Sequence, residues 1–472
     1  LPSESKLYIV GIGPGGRGQL TCRAAEILKS VDNVVGYGAY LDLVRNFLAG
    51  KEVATTGMGK EVDRAKMAVD LLDEGSVAFI SSGDPNVYGM AGLGLEVASQ
   101  KGDLDRVEVV PGVTSFNAAA CRAGVTFRDS VAVISLSDLL TPWNEIERRV
   151  EAAAEMGMPI ALYNPKSKRR TWQLPKVLEI LVQNGRGDES LLVAKNVARV
   201  GEDFRWTTVF EMLELEELRE SVDMFTLVLI GGNGMCKGRY ATQSKINVVG
   251  GGPGDPAHLT LEARKLLGES DLVLGAERFL GEIKGIAKGK MVAQGGELGE
   301  RMGKRLVMAK NAALRGDTTS IMVGGDPSIF SSSWQISARD HVHTVPGLSA
   351  FSPVAAKLGA PLVSDFVLLP RLSGGRSDEI FDLMERGFGV AVYNVDARNL
   401  PHVGDIESLD RPCGLARDVT RPEEQIEVGT TSELAHFGIE GNRCILVVAG
   451  PNSYIKEGRI ITRRGYQTKY NY

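Results

Sequence analysis

The first half of this 472-residue chain contains no histidine. His258, His341, His343, His402 and His436 all lie in the second half. Proton transfer in the first half must therefore run through carboxylates, tyrosine, lysine, backbone groups or a bound cofactor. Cysteine is equally sparse. Cys22, Cys121, Cys236, Cys413 and Cys444 are scattered, odd in number and never spaced as CxxC. That pattern argues against a disulfide framework or a thiolate metal site and for isolated thiols in a reducing compartment, the cytoplasm. No apolar run approaches the ~20 residues that span a bilayer. The opening "LPSESKLYIVGIG" lacks a basic segment ahead of its apolar one and reads as a short tail before a strand. A formal charge of −5 gives no overall attraction to nucleic acid or anionic lipid, so neither is expected as a partner. An anionic ligand would need a local basic patch.

What is present is an ordinary globular composition, 43% hydrophobic and 24% charged, in a chain too long for one core. Its strongest feature is a duplication. "LYIVGIGPGGRGQLTCRAAEIL" from residue 7 matches "INVVGGGPGDPAHLTLEARKLL" from 246. "VAFISSGDPNVYG" matches "SIMVGGDPSIFSS", "VEVVPGVTSFNAAACRAGVTF" matches "VHTVPGLSAFSPVAAKLGAPL", and "PIALYNPKSKRR" matches "GVAVYNVDARNL". "SLLVAKNVARVGEDF" matches "RPCGLARDVTRPEEQI". The separation drifts from 239 (Gly11 to Gly250) to 230 (Tyr163 to Tyr393), as small loop insertions and deletions would produce. Two tandem domains of one fold follow, over 6–238 and 245–466. The polar, glycine-containing stretch "GGNGMCKGRYATQSK" at 231–245 lies at the boundary.

Each half reads as α/β. "LYIVGIG", "NVVGYG", "VAFISSG" and "VEVVPG" are strand-like, and helical patterns such as 61–74 lie between them. Thr21 is an N-cap for the helix that follows. "VAVISL", "PIALYN", "LLVAKN" and "FTLVLIGG" supply a second set of strands. Alternating strands and helices predict open, mostly parallel sheets, with two α/β lobes in each half and the first lobe ending near Pro111-Gly112.

The glycine-rich loops fall at carboxyl ends of strands, where open α/β sheets bind ligands. Gly11-x-Gly13-x-x-Gly16 satisfies a dinucleotide-binding spacing. The second copy, however, has Asp255 in place of Gly16. Pro14 and Pro253 also stand where a phosphate cradle needs N–H groups that proline lacks. The Gly-Asp-Pro loop argues otherwise. Gly83 allows close approach of a ligand to the backbone, Asp84 caps the following turn and Pro85 suits a first helical turn. As a single loop it is a capped strand-to-helix connection; duplicated beside four other loops, it becomes a candidate site for a neutral or cationic ligand.

The series "VGIGPG", "SSGDPNVYG", "VVPGVTS" and "IALYNP", in that order, resembles the tetrapyrrole methylase family. The stretches "GYGAYLDLVRNFLAGKEVATTGMGKEVDRAKMAVDLLDEG" and "ISLSDLLTPWNEIERRVEAAAEMGMPIALYNPKSKRR" are similar to its precorrin-3B C-17 branch. That resemblance covers about residues 6–235. The second half shares the family motifs, and only its tail "EGRIITRRGYQTKY" again looks like that branch.

The resemblance implies S-adenosylmethionine as methyl donor and a corrin precursor, precorrin-3B or its cobalt form, methylated at C-17 with ring contraction in cobalamin synthesis. It implies a cleft between two lobes and contacts from Pro14, Ser82, Gly83, Asp84, Val87, Tyr88, Thr114, Ser115, Tyr163, Asn164, Asn196, Val197, Ala198 and Thr226. The matching positions in the second half are Pro253, Gly325, Asp326, Ile329, Phe330, Ser349, Ala350, Tyr393 and Asn394. Whether that half is a second methyltransferase or a scaffold stays open. The family pairs its domains, so a homodimer or an internal pseudo-dimer is expected.

The substrate is rich in acetate and propionate groups. Lys166, Lys168, Arg169 and Arg170, directly after "YNP", are candidate carboxylate partners, with a solvated basic turn as the plainer alternative. In the second half only Arg398 stands at this place. Arg64, Asp63 and Glu61 either line the cleft or form a charged helix face. His341-x-His343 is read as a half-buried polar pair, with no metal expected. The rival readings are a non-catalytic tetrapyrrole carrier and a nicotinamide-dependent oxidoreductase.

Overall fold

The structure is a computed structural model and describes residues 5–295, 298–371, 376–396, 404–439, 441 and 443–469. Arg398 and His402 lie outside the described residues. The amino-terminal lobe is a parallel sheet of β1 (Leu7–Gly11), β2 (Asn33–Tyr37), β3 (Glu52–Thr56), β4 (Val77–Ser81) and β5 (Val107–Val110), in the order β3-β2-β4-β1-β5. β4 is buried along its whole length, as its unbroken apolar run demands of a strand covered on both faces. The helix Cys22–Ser30 starts as expected, its Thr21 hydroxyl accepting from the Ala24 N–H at 3.1 Å.

The short β6 (Val125–Phe127) leads into the second lobe, formed by β7 (Val131–Ser135), β8 (Ile160–Tyr163), β9 (Ser190–Lys195), β10 (Asp203–Thr208) and β11 (Thr226–Ile230). Past them come β12 (Met235–Lys237), which pairs with β6, and β13 (Arg239–Tyr240). In the second half β14 (Ile246–Gly250), β15 (Leu272–Gly275), β16 (Lys290–Ala293), β17 (Thr319–Val323) and β18 (His341–Val345) repeat the first lobe. β19 (Phe366–Leu369), β20 (Gly389–Val395), β21 (Pro412–Arg417), β22 (Gln425–Thr430) and β23 (Cys444–Val448) repeat the second. A hairpin of β24 (Ser453–Lys456) and β25 (Arg459–Thr462) follows.

The expectation of mostly parallel sheets holds in the amino-terminal lobes and fails in the other two. There, among the described residues, only β7–β8 and β19–β20 run parallel. β11 slots between β8 and β9 and runs against both. β10 follows β9 through a short helix-free connection, and such a connection can only join antiparallel neighbours.

The two carboxy-terminal lobes are one sheet. Its order, β10-β9-β11-β8-β7-β19-β20-β23-β21-β22, reads the same from either edge once each strand is exchanged for its repeat. The centre is an antiparallel β7–β19 pair in which Val131, Ala132 and Val133 face Leu368, Val367 and Phe366, all fully buried. Elsewhere equivalent residues also meet. Thr21 bridges Thr260, Cys22 N–H donates to the Leu259 carbonyl at 2.9 Å, and Leu261 N–H donates to the Leu20 carbonyl at 2.8 Å. Phe116 stacks near Phe351, centroids 6.4 Å apart. This is the self-complementary contact of a two-fold pair, built here within one chain.

The tails cross over. β13, from the end of the first half, adds in parallel to β18 of the second. The β24–β25 hairpin, from the end of the second, lies on the first: Arg459 Nη1 donates to the Val107 carbonyl at 2.7 Å and Lys456 Nζ to the Ser99 carbonyl at 2.8 Å.

Candidate functional site

Each half has a cleft between its lobes, with a cavity of about 530 Å³ in the first and about 460 Å³ in the second. Each half also has a pair of glycine loops bonded to one another; Gly252 and Gly325 line the second cavity, while in the first half the neighbouring Ser82 lines the cavity. Gly13 and Gly83 exchange N–H···O bonds of 3.1 and 2.8 Å, and Gly252 and Gly325 exchange bonds of 3.2 and 2.7 Å. The loops carry non-glycine residues in the left-handed region, and these recur at matching positions. They are Tyr88 and Phe330 (φ 51° and 48°), Asn164 and Asn394 (51° and 50°), Asn196 and Asp418 (51° and 48°), and Ala198 and Thr420 (58° and 66°). Asn and Asp adopt this region readily, whereas for Tyr88, Phe330, Ala198 and Thr420 it costs free energy, and the same conformations are kept in both halves.

All nine positions expected in the second half face its cavity. Tyr393 and Ser349 are joined through their hydroxyls at 2.8 Å, and the Tyr393 hydroxyl accepts from Phe351 N–H at 3.0 Å. Tyr163 does the same in the first half, with Thr114 at 2.6 Å and Phe116 N–H at 3.0 Å. Burial pushes both phenols up, so they act as neutral hydrogen-bonding groups and not as bases.

In the first half Ser82, Tyr88 and Asn164 line the cavity. Pro14, Ser82 and Ala198 are brought together by Arg199. Its Nε donates to the Pro14 carbonyl at 2.5 Å and its Nη2 to Ser82 Oγ at 3.1 Å, while Gly16 N–H donates to the Ala198 carbonyl at 2.8 Å. Gly83, at φ 65°, has nothing closer than Ser115 Oγ at 3.8 Å to where a side chain would begin, and so leaves room for a ligand. Val87 and Val197 instead belong to the core that the two halves share. Asn196 bonds the Gly201 carbonyl, and Thr226 is buried against Asp223.

Asp84 caps the following turn as expected, but Pro85 does not open a helix. Asp84 Oδ1 accepts from Asn86 N–H at 2.8 Å within a turn, and the next helix begins only at Ala91. The carboxyl is 1% exposed and its Oδ2 has no partner among the described residues, so burial pushes it up to about 6. Burial pushes Asp326 up to about 7, although Ser328 N–H and Gly347 N–H donate to it. Both native pKa values thus exceed the unfolded ones. The stability each proton brings is full below about pH 4 and is lost as pH rises through about 6 for Asp84 and about 7 for Asp326. Asp84→Asn and Asp326→Asn should each flatten the decline of unfolding free energy with pH in urea titrations. A slope unchanged in both variants would mean that both carboxylates are ionised in the native protein.

The basic turn is only partly at the cleft. Lys166 is committed to Glu220 at 2.7 Å and to the Arg219 carbonyl. Lys168 and Arg169 are exposed. Arg170 donates to the carbonyl of the cavity-lining Asn164 at 2.9 Å. Arg64 and Glu61 line the cavity and pair with one another, whereas Asp63 pairs with Lys60 outside it. His343 bonds Glu262 and the Ala241 carbonyl. Among the described residues no cluster of three metal-ligating side chains occurs and no helix is long and apolar enough to cross a membrane.

The model of the tetrapyrrole (corrin/porphyrin) methylases matches residues 6–213 and again 245–435. The chain belongs to the tetrapyrrole methylases. Among curated relatives, the cobalamin biosynthesis protein CbiHC of Archaeoglobus fulgidus is 40% identical over 49% of this chain and 50% of its own length. The probable cobalt-factor III C(17)-methyltransferase of Salmonella typhimurium is 40% identical over 48% of this chain and 92% of its own. The protein of the same name from Methanothermobacter thermautotrophicus is 43% identical over 48% and 62%. These matches fall on the first half. The chain spans about half the length, or less, of the first curated relatives it matches.

This tetrapyrrole methylase completes its first cleft with residues that the motifs did not indicate. The cavity wall includes Arg463, Arg464 and Tyr466, carried over from the end of the second half. Arg463 Nε lies 3.3 Å from Glu96, and the Arg464 guanidinium lies 5.7 Å from the centroid of the Tyr88 ring. Among the described residues Arg464 makes no ion pair. The signal available was the tail's likeness to the C-17 branch, which says nothing of the half on which the tail lies.

Proposed function

We propose that the first half transfers a methyl group from S-adenosylmethionine to C-17 of a corrin precursor, precorrin-3B or cobalt-factor III, with ring contraction, in cobalamin biosynthesis. The observation that carries this reading is the first cleft itself. Its glycine loops are fused and its strained turns duplicated, and its half spans nearly all of a relative named for that reaction. When bound, the donor supplies an electrophilic methyl on a sulfonium.

The chain's own residues have little covalent work to do, consistent with a half lacking histidine. Gly83, Ser82 and Pro14 receive the donor against the loop backbone, beside Tyr88. The buried Asp84 carboxyl beneath them suits a cation better than a phosphate. Thr114 and Tyr163 fix the second lobe's loop against the first helix of the Pro-Gly turn. Holding donor carbon and substrate carbon in contact supplies the rate, since orientation alone is worth about 7–11 kcal/mol of barrier in favourable cases. Arg464 receives a substrate carboxylate at the open side.

Incubating the whole chain with precorrin-3B or cobalt-factor III and methyl-labelled donor, then locating the label by mass spectrometry and NMR, tests the reading. Label at C-17 is expected; binding of the tetrapyrrole without binding of S-adenosylhomocysteine would instead identify a carrier. Neutralising Lys168 and Arg169 together should weaken tetrapyrrole binding by a few-fold only, because exposed pairs are worth about 0–1 kcal/mol, and should leave S-adenosylhomocysteine binding intact. No change in tetrapyrrole affinity would remove the turn from the substrate site.

A further inference from the structure

The repeat of Arg64 in the second half is Arg305, which stands as far before Gly316 as Arg64 stands before Gly75. The two arginines are treated differently. Arg64 donates to Thr56 Oγ1 at 2.7 Å and to the Gly57 carbonyl at 3.0 Å, and Glu61 lies 3.6 Å from its Nη2. In the second half Met302 occupies the place of Glu61. Arg305 is 4% exposed, yet its oxygen partner among the described residues is one carbonyl, Gln294 at 3.4 Å; its Nε has none. One helical turn earlier on the same helix, Leu298–Leu314, Arg301 also has a buried Nε without a partner. Both side chains line the second cavity.

A buried guanidinium without a carboxylate is costly unless something arrives to pair it. Arg301, partly buried one turn away, adds repulsion, and burial together with the Arg301 charge holds the Arg305 pKa below its ordinary value. The remaining charges of the cavity wall do not relieve them. Arg278 is paired with Asp418 and Arg421 with Glu282, Arg443 adds a further cation, and Asp326 is the one acid among the described lining residues. The rest of the wall includes Phe279, Met322, Phe330 and Ile445.

We propose that the second cleft is a ligand site in its own right, in which Arg301 and Arg305 take a carboxylate carried on a largely apolar or aromatic body. A carboxylate is favoured over a phosphate because the loop beneath it has Pro253 in place of an N–H donor. Two ligands share that chemistry: the amino-acid end of S-adenosylmethionine and the acid side chains of a tetrapyrrole.

The test counts sites on the full chain by equilibrium dialysis with three probes: S-adenosylhomocysteine, 5′-methylthioadenosine, which lacks the carboxylate, and uroporphyrin III, a polycarboxylate macrocycle. Two sites per chain are expected for at least one carboxylate-bearing probe. In R301A/R305A one of them should weaken by at least about tenfold. R305K, which keeps the charge, should recover part of the loss, and 5′-methylthioadenosine should not respond to either change. Loss of an S-adenosylhomocysteine site assigns the carboxylate to the donor, and loss of a uroporphyrin site assigns it to the macrocycle. A single site for every probe, or affinities unchanged within about twofold in R301A/R305A, overturns the proposal. If the double variant unfolds, R301A alone is read against the same outcomes. Methyl transfer by the first half is assayed separately on the unmodified chain, so its failure would leave this result standing.

Discussion

Replacing Asp365 with alanine is expected to lower the unfolding free energy by about 3–5 kcal/mol, the usual cost of stripping one partner from a buried ion pair. Asp365 belongs to the second half and faces the first. It accepts from Arg149 Nη1 at 2.8 Å, Ser135 N–H at 3.0 Å and the Tyr88 hydroxyl at 2.7 Å. Arg149 and Asp365 are each 5% exposed at the side chain. With the carboxylate gone, Arg149 keeps among the described residues only Glu145, at 3.3 Å and far more exposed, and its Nε already has no partner among them. Tyr88, held by Asp365 and by the Val133 carbonyl, sits in the first cavity wall, so the same substitution should also loosen ligand binding there. Urea titrations of D365A and D365N measure the effect, the amide being expected to lose less because it keeps the shape and an acceptor. A loss below about 1 kcal/mol in D365A would show that this network does not hold the halves together.

The duplication explains why so much of the molecule was legible. A motif met twice in the same order points to a loop with a task, and the nine second-half positions, matched in register to contacts that the family resemblance implies, all face one cavity. The strands with unbroken apolar runs, β1, β4 and β5, were equally plain. What the pattern of one segment cannot convey is its neighbour. The run "FTLVLIGG" announces a strand, but not that β11 slips between β8 and β9 and turns the lobe antiparallel. The spacing of "YNPKSKRR" announces a basic turn, but not that Glu220 claims Lys166. Arg199 reads as one charge in "NVARVG" until it is seen reaching from the second lobe to both Pro14 and Ser82 of the first. The meeting of Asp365 with Tyr88 is likewise a property of how two halves dock, which composition and periodicity do not encode.

The same docking makes Arg464→Ala the sharpest test of how substrate is held. We expect the tetrapyrrole dissociation constant to rise about 10- to 100-fold, as loss of a charge-assisted hydrogen bond implies, and that of S-adenosylhomocysteine to change less than about twofold. The guanidinium is free to take a carboxylate because no acid claims it among the described residues, unlike its neighbour Arg463, which lies 3.3 Å from Glu96. It is also held in place. Its tail is bound to the first half through Arg459 and Lys456, and Ile460 and Ile461 are fully buried beneath it. Little ordering therefore remains to be done when substrate arrives, which is what makes one contact count for so much. Arg464→Lys should recover only part of the affinity, since an ammonium cannot grip a carboxylate through two parallel bonds. A fall in S-adenosylhomocysteine affinity in step with that of the tetrapyrrole would show that the residue merely supports the cleft. Unchanged affinity for both would send the substrate's acid groups elsewhere.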